Sequence, residues 1–317
     1  MALYNFRSSY KNFMESYVKL MVSKGYREYS FYYVYRFDKF LIQNNYSLDY
    51  ISKELIDRWS VQLDTEKKNT RNDRVSKVRG FCEYLNSVGI KAYVSYAKLS
   101  GEKTMPYILS KDEIITLFGV IDKESQNRDF IKHYPFMLPV LYRLLYTCGL
   151  RNNEACRLKT ADVDFDKSVL RILEAKNNRD RLVYMSKDMC SLLRCYSDRI
   201  RNYMVSEWMF PSRAKEMHIP KTTVDSYFSR FVRIAGIGNK QFHPVPHSLR
   251  HTYVVHRVDS WIQEGKDANK LMIYLSKQLG HSSLSETYYY YHMLESSFDP
   301  IREKTRTVYP EVIAYEE

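Results

Sequence analysis

The hydrophobic spacing of this chain predicts a mainly α protein in two domains, with a small β-hairpin or sheet in the second. Three observations carry that reading. Apolar residues recur at intervals of three and four over most of the length. A single pair of short strand-like runs flanks a polar turn. Periodicity lapses from Ala97 to Pro106, where small and charged residues take over as in an exposed linker. At 317 residues the chain is long enough for about two domains, each with its own core. The boundaries read as 1–100 for an N-terminal helical domain, 101–106 for the linker and 107–317 for the second domain, with a C-terminal tail over 293–317.

Taking the elements in order, Phe6, Tyr10, Phe13, Tyr17 and Leu20/Met21 predict a first helix over 6–21. Tyr32, Tyr35, Phe40 and Leu41 predict a second, and a turn with a shorter third helix falls between Asn45 and Leu63. Val75, Val78, Phe81, Cys82 and Leu85 form the buried stripe of a fourth, over 70–87. Lys67, Lys68, Arg71, Arg74, Lys77 and Arg79 crowd its start and flank. Such a run is either a solvated face or a basic helix end aimed at phosphates.

In the second domain, Ser110-Lys-Asp-Glu113 reads as a capping box that opens a helix. The next helix, 135–147, stops at Cys148-Gly149, where glycine supplies a left-handed cap. Leu150-Arg151-Asn-Asn-Glu154 then starts another, which places Arg151 at a helix junction. Residues 168–174 and 181–185 read as strands, with Lys176 in the turn between them. Helices follow over 187–206, 221–235, 248–264, 267–279 and 283–293.

Composition narrows the function. The net charge of +12 favours an acidic polymer as partner, most simply nucleic acid. The first 105 residues carry 18 Lys and Arg against 11 Asp and Glu, so the N-terminal third is the more basic part. Five cysteines, an odd number without a C-x-x-C pair, argue against a disulfide framework or zinc ribbon and for reduced, mostly buried thiols in a cytoplasmic protein. The N-terminus lacks the apolar centre of a signal peptide, and the richest apolar run, Phe136 to Leu150, is broken by Pro139 and Arg143, so no membrane span is expected.

Two stretches carry chemistry. In Pro246-His247-Ser-Leu-Arg250-His251, positions 247, 250 and 251 share one helical face. Two histidines four apart can hold zinc, but Ser248 stands where the zincin motif needs glutamate, so no metal is expected. The alternative to a functional role is that His247 caps the helix and Arg250 pairs with an acid. The second stretch is Leu279-Gly-His281, followed by four tyrosines, Tyr288 to Tyr291. Successive helical side chains diverge by about 100°, so only one of the four can address a given atom. Packing is the alternative there too. His133, His218, His243, His256 and His292 read as surface or packing residues.

Taken together, Gly149-Leu-Arg151-x-x-Glu154, hairpin Lys176, His247-x-x-Arg250, Leu279-Gly-His281 and Tyr290 strongly resemble the tyrosine recombinases, the family of phage and transposon integrases and Xer-type resolvases. Order and spacing match over 106–293, and the segment Arg71 to Leu85 resembles that family's helical core-binding domain. The resemblance implies a SAM-like core-binding domain plus a mixed α/β catalytic domain, together forming a clamp on DNA. It also implies site-specific cutting and rejoining of duplex DNA through a 3′-phosphotyrosyl intermediate, without metal, cofactor or ATP.

Within that mechanism Tyr290, nine residues after His281, is the nucleophile, with Tyr289 and Tyr291 as fallbacks. His247 is its general base, Arg151, Arg250 and His281 donate to the phosphate oxygens, Lys176 protonates the leaving 5′-hydroxyl and Glu154 orients the cluster. Ala175 and Asn177 flank Lys176 where the family often has glycine, which leaves the loop's shape open. The implied partners are duplex DNA with specific recombination sites, three further copies of the chain in a tetramer, and accessory DNA-bending proteins. The tail over 293–317 is expected to dock into a neighbouring protomer, and short inverted half-sites are expected because the helical domain starts near residue 6. A bacterial, phage or mobile-element origin and association with the nucleoid follow from the same resemblance. The rival readings are a type IB topoisomerase, a DNA-binding regulator without catalysis and, more remotely, a metal-dependent nuclease.

Overall fold

A computed structural model of the chain describes residues 3–46, 49–95, 105–126, 133–173, 180–214, 216–239, 242–281 and 283–290. Lys176, Tyr291, His292, the tail and most of the expected linker lie outside them. Backbone contacts divide the chain into two compact units, Met1–Thr104 and Met105–Glu317.

The first unit consists of α1 (Lys11–Ser23), a 3-10 turn leading into α2 (Tyr32–Gln43), α3 (Lys53–Ser60) and α4 (Lys68–Ser87). Met14, Phe37, Leu41, Leu55, Phe81 and Leu85 are fully buried between them, each contributing about 1.5–3 kcal/mol through removal from water. The buried Asp38 carboxylate accepts the backbone N–H groups of Arg7 and Ser8, both at 2.9 Å, and so anchors the segment before α1.

One member of the expected basic set is turned inward. Arg74 is 2% exposed. Its guanidinium lies 4.7 Å over the Trp59 ring, donates to both oxygens of Glu66 at 2.8 Å, and donates to the carbonyls of Trp59 and Val61. Arg74 therefore ties α4 to the end of α3 and is corrected from DNA-contact candidate to core ion pair. The spacing on α4 could not show this, because the acid that claims it lies eight residues earlier in a loop. Lys67 and Lys68 are exposed at the start of α4, while Arg71, Lys77 and Arg79 are half-buried.

The second unit is built around α6 (Tyr134–Cys148), which is buried on nearly every face and packs against α5 (Lys111–Glu124), α8 (Lys187–Arg201) and α10 (Pro246–Gln263). α5 opens with the expected capping box, Ser110 Oγ accepting from the Glu113 N–H at 3.1 Å and Glu113 from the Ser110 N–H at 2.8 Å. Arg143, the charge within the α6 run, escapes the core by forking onto Asp122.

After the short α7 (Asn152–Cys156) comes an antiparallel sheet of β1 (Val163–Asp164), β2 (Val169–Ile172) and β3 (Arg181–Tyr184), with Leu170 paired to Val183 on the buried face. Two residues of β1 are too few for alternation to be visible in sequence. The helix expected over 187–206 ends at Arg201, and the chain goes on to a bridge between Trp208 and Lys159. α9 (Lys221–Ile234), α10, α11 (Ala268–Leu279) and α12 (Leu284–Tyr288) complete the described elements. Among the described residues no helix is long and apolar enough to cross a membrane, and Cys82, Cys148, Cys156 and Cys190 are buried free thiols, with Cys195 exposed.

Candidate active site

The ends of α6 and α11 meet the start of α7 and the first turns of α10. Gly149 closes α6 at φ 64°, and a Cβ there would lie 2.6 Å from Tyr253 Cδ1, so both the backbone and the space demand glycine. Two residues later Arg151 is the extended N-cap of α7, its own N–H donating to Glu154 Oε2 at 2.9 Å. Its guanidinium reaches Glu154 Oε1 at 2.9 Å and the Gly280 carbonyl at 3.1 Å. Arg250 is 2% exposed and spans two helix ends, donating to the carbonyls of Gly149 at 2.7 Å and Leu279 at 2.8 Å. Burial, then the nearby charge of Arg151, lowers Arg250 to about 10, which leaves it cationic at neutral pH. Both guanidiniums are thus aimed by main-chain carbonyls, a rigid way to present forked donors to an anion.

Tyr290 lies within electrostatic reach of this pair. It is 4% exposed and packs into a small core with Val254, Val258, Met272 and Leu275, whereas Tyr288 and Tyr289 are 37% and 39% exposed. The Tyr290 ring lies parallel to that of His281 at 6.5 Å, and His281 is fixed by a 2.7 Å hydrogen bond between Nδ1 and Thr287 Oγ1. Burial pushes the phenol up to about 12, against the pull of Arg250.

The group that holds the phenol oxygen is His251, whose Nδ1 is 2.6 Å away. His247, expected to serve as base, stands one helical turn back with its ring edge-on to His251 at 4.5 Å. It is therefore one imidazole removed from the phenol. Two residues of the site were not assigned from sequence, His251 and Arg181. His251 had a signal, its place on the same helical face as His247 and Arg250; Arg181 had none, because its partner Glu154 is 27 residues away. Arg151, Glu154, His247, Arg250, His281 and Tyr290 are brought together here, while Lys176 falls outside the described residues. No cluster of three His, Cys, Asp or Glu among the described residues is arranged to hold a metal ion.

Burial and the neighbouring cations favour the uncharged form of the three imidazoles. Burial, then Arg250 and Arg151, lowers His247 to about 4; burial, then His247, Arg250 and His281, lowers His251 to about 3; burial, then Arg250, lowers His281 to about 4. A folded value below the unfolded one means that the unfolded chain binds protons first. Stability is then complete above about pH 6.5 and is lost as pH falls toward about 4. His247 keeps an exposed edge, so water screens its share. Allowing for that and for coupling among the rings, the expected loss is on the order of 3 kcal/mol. Chemical denaturation of the second unit followed from pH 7 to 4 measures it; a stability flat through this window would show that the histidines are not held neutral. Glu154 acts lower down: burial raises its carboxyl, but hydrogen bonds from Arg181 and Arg151 prevail and take it to about 2, so its contribution is lost only below about pH 4.5.

Residues 108–297 match the model of the phage integrase family, which is more than half of the chain. A tyrosine recombinase of Pseudothermotoga lettingae is 28% identical over 276 residues, covering 83% of this chain and 85% of the relative. The tyrosine recombinase XerD of Rhizobium meliloti is 28% identical over 233 residues, covering 72% of this chain and 71% of its own. Among solved structures, the XerH site-specific recombinase in a post-cleavage complex with palindromic difH substrate aligns with a TM-score of 0.65 at 18% identity, over 86% of this chain and 77% of that one. The Tn1549 transposon integrase bound to transposon right-end DNA aligns at 0.62 and 16% identity, over 93% and 98%. These structures share the fold, and the family match, spanning every described member of the cluster around Tyr290, places this chain in the phage integrase family of tyrosine recombinases.

Proposed function

We propose that this protein cuts and rejoins duplex DNA at specific sites through a 3′-phosphotyrosyl link to Tyr290. The observation that carries the reading is the buried Tyr290, whose hydroxyl meets His251 within electrostatic reach of two carbonyl-aimed guanidiniums. A phenol is a poor nucleophile at neutral pH, so its proton must leave as oxygen attacks phosphorus. His251 touches that oxygen and His247 adjoins His251 nearer solvent, so the pair offers the proton a route out. Arg151 and Arg250 neutralise the charge that grows on the non-bridging oxygens, the task that divalent metal performs in other phosphoryl transfers. His281 adds a donor. Lys176 gives a proton to the departing 5′-oxygen as its bond to phosphorus breaks. The phosphotyrosyl bond keeps the energy of the broken linkage, so a second 5′-hydroxyl can displace Tyr290 without ATP.

The chain's net positive charge and exposed Lys67 and Lys68 support binding along the phosphate backbone. Recombination between two sites calls for four copies of the chain, the tail over 293–317 linking neighbours, with DNA-bending proteins as further partners. Lambda integrase, which shares the fold, is seen as a tetramer bound to a Holliday junction. The test is incubation with duplex DNA from the flanks of its own gene in EDTA, followed by a denaturing gel and peptide mapping. A covalent adduct mapped to Tyr290 is expected. Site-specific binding without any adduct would favour a regulator, and relaxation of supercoils by dilute protein without site preference would favour a type IB topoisomerase.

A further inference from the structure

We propose that Arg181 is a positioning residue of the phosphate site: by gripping both oxygens of Glu154 it leaves the charge of Arg151 to a phosphate. Arg181 opens β3. Its Nη1 and Nη2 donate to Glu154 Oε1 and Oε2 at 2.9 and 2.8 Å, and its Nε donates to the Gln278 carbonyl at 2.7 Å. The pair is nearly dry, with side-chain exposures of 8% for Arg181 and 7% for Glu154, against 24% for Arg151. Arg181 in this place cannot meet a phosphate itself; Arg151 can.

The carboxylate is the reason a third arginine is needed. Arg151 lies 2.9 Å from Glu154 Oε1, and with Glu154 as its only companion the two charges would cancel. Adding Arg181 makes the trio net positive, and the more exposed guanidinium is the one through which that charge reaches an anion. The same hand aims all three cations. The carbonyls of Gln278, Leu279 and Gly280 accept from Arg181, Arg250 and Arg151 in turn, so the negative end of α11 is a common anchor. Gly280 makes room for this: at φ 66°, a Cβ on it would lie 3.0 Å from Arg181 Cδ.

The inference rests on the proposed meeting of Arg151 with phosphate, and the test separates the two. Orthovanadate, a phosphate mimic that needs no recombination site, is titrated into the full chain by vanadium NMR with wild type, Arg181→Gln, Glu154→Gln and the double variant, folding being checked by circular dichroism. Arg181→Gln is expected to weaken vanadate binding about tenfold, the effect of one nearby partly screened charge. The double variant is expected to return to within about threefold of wild type, because no carboxylate then competes for Arg151. A residue that merely braces the fold gives no such rescue. Unchanged affinity in Arg181→Gln, a double variant as weak as the single, or a wild type that does not bind vanadate would each overturn the proposal. If Arg181→Gln does not fold, Arg181→Lys is used: it keeps the charge and loses the fork, and a loss below about threefold is expected, whereas a tenfold loss counts against a charge role. Vanadate results as expected with no wild-type adduct on DNA would leave the role of Arg181 standing and sink the strand-transfer reading instead.

Discussion

Tyr290→Phe is expected to form no covalent adduct with DNA that traps the wild type, while binding the same duplex within about twofold, since affinity comes mainly from phosphate contacts. Tyr288 and Tyr289 are exposed, whereas Tyr290 is buried with its hydroxyl on His251. The same change removes the 2.6 Å hydrogen bond to His251 Nδ1, and the net cost to stability should be about 1 kcal/mol. Denaturing gels and thermal melts of the two proteins side by side check both parts. An adduct that survives in the variant would move the nucleophile to another tyrosine, Tyr291 first.

Arg250→Lys is the second large effect. The guanidinium has five N–H donors, two of which are engaged by the carbonyls of Gly149 and Leu279. Lysine keeps the charge but cannot bridge two carbonyls in a fixed plane and still offer a fork to phosphate. Adduct formation should slow by about 10²–10³-fold, the usual cost of removing one preorganised donor from a developing oxyanion. Non-specific DNA affinity should change by less than about threefold, because the net charge is preserved. Single-turnover kinetics under saturating protein separate the two effects. A rate within a factor of a few of wild type would mean that Arg250 is a structural clip between helix ends and does not meet the phosphate.

Much of the architecture was legible in the chain. Long amphipathic helices announce themselves by spacing, and Gly149 and Ser110 marked an end and a start because positive φ and side-chain capping are local demands. The boxes around Arg151, His247 and His281 were legible for a similar reason: each lies within one or two helical turns, where sequence distance fixes spatial distance. Tyr290 was chosen from four tyrosines by spacing from His281, and in the fold its ring lies parallel to that of His281.

What only the tertiary structure decided are pairings between residues far apart in the chain. Arg74 looked like its basic neighbours on α4, and burial against Glu66 and Trp59 alone distinguishes it. His251 rather than His247 meets the phenol, a contact between residues 39 apart that the spacing within α10 leaves open. Arg181 was an ordinary strand residue until the sheet brought it to Glu154. Residue types and local geometry set which chemistry is available; the packing of helix ends sets which charge stands beside which, because Coulomb interactions in a drying interior depend on a few ångströms that no sequence interval records.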